Sequence, residues 1–206
     1  MEQNISKPAR ERLIQLARLL EHIENDSCNV ITSSGIQERT GWSSHTIRRD
    51  ISLLNSECST KAGYDVAALR KAICSELGIT SAEKKCCIVG LGKLGSALID
   101  INFGSSFKVV AGFDSSVNRT ETLTAPFPLY STSQMQNVIK KEGIEYAILA
   151  VPESKAQEVA TKLADIGIKG IVNYSSVILS VKKEVAVENI SLVDALQKLV
   201  SVTQGS

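Results

Sequence analysis

Histidine is scarce in this chain of 206 residues: only His22 and His45 occur. None follows residue 45 to act as a proton donor or acceptor, and none of Tyr130, Tyr146 and Tyr174 has a lysine four residues on. Two common routes to general acid–base chemistry are therefore missing from the C-terminal part. Cysteine is present, as Cys28, Cys58, Cys74, Cys86 and Cys87, but the count is odd and no CxxC or Cys/His metal spacing occurs. Reduced thiols are expected, with a thiol switch left open. No apolar run approaches the ~20 residues that span a bilayer. Residues 1–13 lack the apolar stretch of a signal peptide, so a cytoplasmic protein is expected. Charge of one sign is lacking too: the net charge is +1, so any nucleic-acid partner must be met by local charge.

What is present falls into two textures. Residues 9–24 place Leu13, Leu16, Ala17, Leu20 and Ile23 on one helical face. Val30 and Ile31 suit a short strand. A cap at Thr32 to Ser34 opens a short helix closed by Gly41, and residues 43–55 restart behind a Ser-Ser cap with Ile47, Ile51 and Leu54 in phase. Two short helices split by a glycine turn predict a helix-turn-helix. Residues 56–63 suit the hairpin of a wing, residues 64–77 a further helix, and residues 78–85 a linker. From Cys86 onward, apolar strand-like segments alternate with helical ones, which predicts a parallel sheet covered by helices. Residues 185–189 suit a last strand and residues 191–202 an amphipathic helix. The expected architecture is α/β, with a winged-helix domain over 1–80 and a Rossmann domain over 84–206.

The segment Gly90-Leu91-Gly92-Lys93-Leu94-Gly95 is a G-x-G-x-x-G between an apolar strand and a helix. A second apolar strand ends at Asp114, roughly 20 residues on, as the dinucleotide fingerprint requires. Gly90 allows the tight turn, Gly92 lets the backbone approach a pyrophosphate, and Gly95 lets helix pack closely on strand. The helix start offers free N–H donors to the phosphates. Asp114 can accept ribose hydroxyls and would repel the extra phosphate of NADP, whereas nearby Arg119 leaves the choice between NAD and NADP open. Val151 and Pro152, at the end of an apolar strand, and Asn173 and Tyr174, at the end of the next, lie where ligands sit in such folds. A plain strand-to-helix turn is the alternative for each.

Ser43, Ser44, His45 and Thr46 are short polar donors at a helix start, and Arg48 and Arg49 add charge suited to phosphate or guanine. Lys61 in the expected wing can reach a phosphate or a minor groove. Over residues 39–61, four basic residues face two acidic ones. A solvated face of a small helical bundle is the alternative. The C-terminal helix, with Leu192, Leu196, Leu199 and Val200, suits either a dimer contact or packing on its own domain.

In order of parts the chain resembles the Rex family of bacterial redox-sensing transcriptional repressors over nearly its full length. The resemblance rests on residues 47–52, Gly63-Tyr64, Gly90 to Gly95, Gly112-Phe113-Asp114, Ala150-Val151-Pro152, residues 164–174 and residues 185–189. It implies a homodimer with the last helix swapped onto the partner, NAD(H) as cofactor, a palindromic double-stranded operator as partner, and release of DNA when NADH binds. It also implies that Arg18 takes part in coupling the two events. The chain departs from the family pattern at Leu54, Asn55 and Ser56, in the wing from Cys58 to Ala62, and at Ser176. Ile101 and Ser191 stand where the family has a tyrosine and an aspartate that work with the arginine. A DNA-binding relative with a weakened NADH response is therefore the first alternative. The second is a small nicotinamide-dependent oxidoreductase or a domain for another nucleotide such as coenzyme A, against which the missing catalytic groups and Asp114 respectively count.

Overall fold

The computed structural model describes residues 5–25, 29–54, 58–79, 82–104 and 106–203. Cys28, Asn55 and Ser56, each named above, lie outside the described residues. The chain divides into two units, Met1–Thr80 and Ser81–Ser206.

The first unit contains α1 (Lys7–Asn25), β1 (Val30–Ile31), α2 (Ser33–Thr40), α3 (Ser44–Ser52), β2 (Ser59–Thr60), β3 (Gly63–Asp65) and α4 (Val66–Glu76). Short polar side chains start three of the helices. Thr32 accepts the Gly35 N–H at 3.0 Å, Ser43 accepts that of Thr46 at 3.1 Å, and Asp65 accepts that of Ala68 at 2.7 Å. Gly41 ends α2 with a φ of 74°. Tyr64 was expected to begin a helix, but it lies in β3 opposite Ile31 and Ser59. The Asp65 cap moves the helix start past it. The strands form an antiparallel sheet in the order β1-β3-β2. Leu13, Leu20, Ile36, Ile47, Leu69 and Ile73 are buried together in the core of this unit.

A two-pronged charged contact joins α1 to α3. The Arg12 guanidinium on α1 donates from Nε to Asp50 Oδ2 at 2.6 Å and from Nη2 to Oδ1 at 2.9 Å, a two-pronged pair with the buried carboxylate on α3. The carboxylate holds the arginine above its usual pKa, chiefly through that hydrogen bond.

The second unit contains β4 (Lys84–Val89), α5 (Lys93–Ala97), β5 (Phe107–Asp114), α6 (Val117–Thr122), β6 (Leu129–Ser131), α7 (Met135–Glu142), β7 (Tyr146–Leu149), α8 (Glu153–Ile166), β8 (Gly170–Asn173), β9 (Ala186–Asn189) and α9 (Leu192–Thr203). Six parallel strands run in the order β6-β5-β4-β7-β8-β9. This is the doubly wound order in which the chain reverses direction between its first and fourth strands, here β4 and β7. Side chains alternate across the sheet. Cys87, Val89, Ala147 and Leu149 face α7 and α8, while Ile88 and Ile148 face Leu91, Leu98 and Ile99. The register shifts between Cys86 and Cys87, whose partners are Val109 and Ala111, so Val110 is an extra residue and β5 changes phase there. The helix expected after the glycine loop begins within it, at Lys93, and is short, passing into a 3-10 turn at Leu98–Asp100. The linker expected to residue 85 ends sooner, because Lys84 already pairs with Phe107.

On α9, Leu192, Val193, Leu196 and Leu199 are each more than 60% exposed, so the helix buries no apolar face within its own chain. Among the described residues, no helix is long and apolar enough to cross a membrane, and no cluster of three metal-ligating side chains occurs.

Cys58, Cys86 and Cys87 are buried. Burial pushes the Cys86 thiol up to about 11 and Cys87 higher still. A thiol with that pKa is ionised at neutral pH to about one part in ten thousand, so these positions are poorly suited to redox chemistry.

Two measurements follow from these contacts. Arg12→Met leaves the Asp50 carboxylate buried without its partner and lowers unfolding free energy by about 2–3 kcal/mol in a denaturant titration, with the m-value unchanged. Mapping of maleimide adducts on the native chain at neutral pH finds Cys86 and Cys87 unmodified, and both react once the chain is unfolded.

Candidate functional site

The glycine loop joins β4 to α5 at the point where the strand order reverses. Gly90 has a φ of 93°, and a Cβ there would lie 2.5 Å from the Ala150 carbonyl oxygen. Both facts require glycine. A Cβ on Gly95 would fall 1.7 Å from the Gly90 oxygen, so the first turn of α5 rests directly on the loop. Gly92 differs: nothing lies within 4 Å of a Cβ built on it, and its backbone is extended. The space above Gly92 is open to a ligand.

Around that space is a cavity of about 710 Å³, within the size range of nucleotide and small-molecule sites. Gly90, Gly92, Lys93 and Leu94 form its floor, and Ala150, Val151 and Pro152 border it from the end of β7. Asp114, Ser115 and Arg119 close the side beyond β5, and Tyr174 lines it from the end of β8. Eight of the eleven residues expected to bind the cofactor thus line one cavity. Leu91 and Gly95 contribute backbone: the Leu91 side chain is buried in the core and Gly95 supports the loop.

Asn173 is placed differently. It is fully buried, its Nδ2 donates to Asn189 Oδ1 at 2.8 Å and to the Val177 carbonyl at 2.9 Å, and its Oδ1 accepts from Ser175. Its hydrogen bonds tie β8 to β9 and to the following loop, and it does not line the cavity. Alternation along β8 turns it away from the side on which Tyr174 emerges.

Asp114 is buried, and its oxygens are engaged. Oδ2 accepts the Leu91 N–H and Oδ1 the Ser116 N–H, each at 2.7 Å, and Arg119 Nη1 lies 3.3 Å from both oxygens. The acid therefore fixes the glycine loop to the end of β5. Its carboxylate rim faces the cavity through Arg119.

Sequence reasoning missed one wall. Lys155, Glu158, Val159 and Lys162 are spaced to share one face of α8, and Thr132, Ser133 and Met135 follow β6. Glu158 accepts from Lys162 at 2.7 Å and from Lys155 at 3.1 Å. Those two hydrogen bonds, Lys162 first, hold its carboxyl below the usual range. Only the strand order reveals that this helix face and the β6 end enclose the same space.

In the first unit, His45, Arg48 and Arg49 are exposed on α3, and Ser43 and Thr46 bond one another at its start. Arg48 Nε donates to Ser33 on α2 at 3.2 Å, and Ser44 donates to Gln37 at 2.6 Å, so α2 orients α3. Arg49, His45 and Thr46 share a groove of about 260 Å³ with Arg12 of α1 and with Ser6, which precedes that helix. Lys61 lies in the turn between β2 and β3, away from that groove. Arg18 is exposed on α1 and pairs with no described residue.

Two family models match, one described as "CoA binding domain" over residues 81–177 and one as "Putative DNA-binding protein N-terminus" over residues 4–52. The redox-sensing transcriptional repressor Rex of Limosilactobacillus reuteri is 35% identical over 198 residues, covering 95% of this chain and 92% of the relative. The chain belongs to the Rex family. The crystal structure of RSP, a Rex-family repressor, matches over 98% of this chain and 95% of its own, with a TM-score of 0.84 and 25% identity. RSP in complex with β-NAD⁺ and operator DNA matches with a TM-score of 0.86 and 26% identity, over 98% and 94% of the two chains. The Rex relatives span the winged-helix unit, the glycine loop and the C-terminal strands alike, so both halves of this Rex-family chain are accounted for together.

The unequal surroundings of the glycines separate folding from binding. Gly92→Ala leaves the melting temperature unchanged, because nothing lies within 4 Å of its added methyl group, which instead narrows the open space of the cavity. Gly95→Ala has no room for its methyl group and lowers the melting temperature of the apo chain.

Proposed function

We propose that this chain is a transcriptional repressor that binds operator DNA through its first unit and NAD(H) through its second, and answers to the NADH/NAD⁺ ratio. The observation that carries the reading is the open space over Gly92 at the strand-order reversal, bordered by Asp114, in a chain that also presents α3. The residues present fit an adenine dinucleotide. The loop and first-turn N–H groups suit a pyrophosphate, and Asp114 suits a ribose. Val151, Pro152 and Tyr174 suit the nicotinamide end. The short α5 adds little dipole, so phosphate binding rests on local N–H donors.

In this reading residues 1–80 are the winged-helix DNA-binding domain and residues 84–206 the NAD(H)-binding domain. Ser43, Ser44, His45, Thr46, Arg48 and Arg49 of α3 meet DNA, with Lys61 of the wing on a neighbouring phosphate or groove. Ser44 and Arg48 are partly engaged by α2, which leaves His45 and Arg49 as the freest side chains for base edges. The chain acts as a homodimer, because the apolar face of α9 needs a partner and a palindromic operator offers two equal half-sites. It is a cytoplasmic regulator and not an enzyme; no histidine follows residue 45 to serve the cavity.

A second reading is favoured by two positions. Ile101 is 49% exposed, and Ser191 accepts the Asp194 N–H at 3.1 Å as the cap of α9. Neither supplies the hydroxyl–carboxylate pair that would join Arg18, so DNA release by NADH is weakened in this version.

Selection of bound sequences from a random duplex pool, followed by gel shifts, tests the first reading. It expects a palindromic site whose affinity falls with salt as phosphate counterions are released. Arg49→Ala costs roughly 1–3 kcal/mol at one base position. Absence of any preferred duplex sinks the repressor reading. NADH titrated into the preformed complex then separates the two versions: release by NADH and not by NAD⁺ supports the first, and retention supports the second.

A further inference from the structure

The side of the cavity beyond β5 carries two opposite charges where a dinucleotide site needs only one. A buried carboxylate at the end of this strand favours a ribose with free hydroxyls, because its charge repels a phosphate there. Asp114 does not act alone. Arg119 Nη1 sits 3.3 Å from both of its oxygens, while backbone N–H groups of Leu91 and Ser116 occupy the remaining directions. The pair is close to neutral as a unit.

The two partners differ in freedom. The Asp114 side chain is 4% exposed and held by three donors, whereas that of Arg119 is 51% exposed and Asp114 is its one partner among the described residues. The guanidinium therefore reaches the cavity while the acid stays in place. The exposed Ser115 lies beside it on the same wall. The other lysines on the facing wall, Lys155 and Lys162, are both engaged by Glu158. Lys93 belongs to the cavity floor, so Arg119 is the cation that stands beside Asp114 on the wall beyond β5.

We infer that Arg119 and Ser115 form a subsite for a phosphate ester on the adenosine ribose, so that the cavity takes NADP(H) as well as NAD(H). The inference rests on reading the cavity as an adenine dinucleotide site. A phosphate monoester carries close to two negative charges at neutral pH. The planar guanidinium presents paired N–H donors that match two phosphate oxygens, and a serine hydroxyl supplies a third donor. With an unphosphorylated ribose, Arg119 swings outward and the hydroxyls meet Asp114. With a phosphorylated one, Arg119 stays between the acid and the ester and offsets the repulsion.

The test is titration of the full-length chain with NADH and with NADPH, followed by nicotinamide fluorescence, for the unaltered protein, Arg119→Ala and Ser115→Ala. The expected result is a Kd for NADPH within about tenfold of that for NADH, with the NADPH affinity falling more steeply with salt. Arg119→Ala then weakens NADPH by about tenfold or more and leaves NADH equal or tighter. Adenosine 2′,5′-bisphosphate displaces bound NADH better than AMP does from the unaltered chain, and loses that advantage in Arg119→Ala. An unaltered chain that discriminates against NADPH by about a hundredfold overturns the inference, as does an Arg119→Ala loss that is equal for both nucleotides. Failure of the folded chain to bind either nucleotide overturns the dinucleotide reading itself, a result distinct from binding of NADH alone.

Discussion

The second unit depends on one close approach: the carbonyl of Gly90 against the backbone of Gly95, with room for no atom between them. That contact seats the first turn of α5 on the loop. The Leu91 N–H is then presented to Asp114, which ties the loop to the end of β5. A bulky residue at either glycine would push the loop off the Ala150 carbonyl and close the space over Gly92. The shape of the cavity follows from backbone packing more than from any side chain that lines it.

The first unit has a corresponding constraint of another kind. The α3 helix has only nine residues, too few to be stable alone. Its inner face buries Ile47 and Ile51, and the Arg12–Asp50 pair fixes it to α1. Arg48 and Ser44 reach α2 from its other side. The helix is thereby held in one orientation with Arg49 and His45 outward.

Several features were legible from residue order because they depend on local chemistry. Caps at Thr32 and Ser43, the helical phase of Leu13 to Ile23, and the strand–loop–helix order at Gly90 to Gly95 were all read directly. Three were not. Tyr64 carried a helical pattern but pairs in a strand, since antiparallel pairing with Ile31 and Ser59 outweighs propensity there. Asn173 sat at a strand end like Tyr174, yet the pleat turns it into a buried network with Asn189 and Ser175. The stripe of α8 lining the cavity was not read as part of a site, because its lysine–glutamate spacing is one that an ordinary solvated helix face shares.

The sequence by itself determined the two-part plan, the parallel α/β character of the second part, the glycine loop with its acid, and the absence of histidine from the cavity. Periodicity, capping and glycine spacing act within a few residues, so they survive in a one-dimensional reading. Tertiary structure alone decided which strand ends meet at the reversal of strand order, and that Arg119 rests on Asp114. It also decided that Arg12 anchors α3 and that α9 leaves its apolar face open within one chain. Those relations join residues far apart in sequence, or depend on which way a side chain leaves its strand or loop. They are set by the packing of whole elements, which no local pattern encodes.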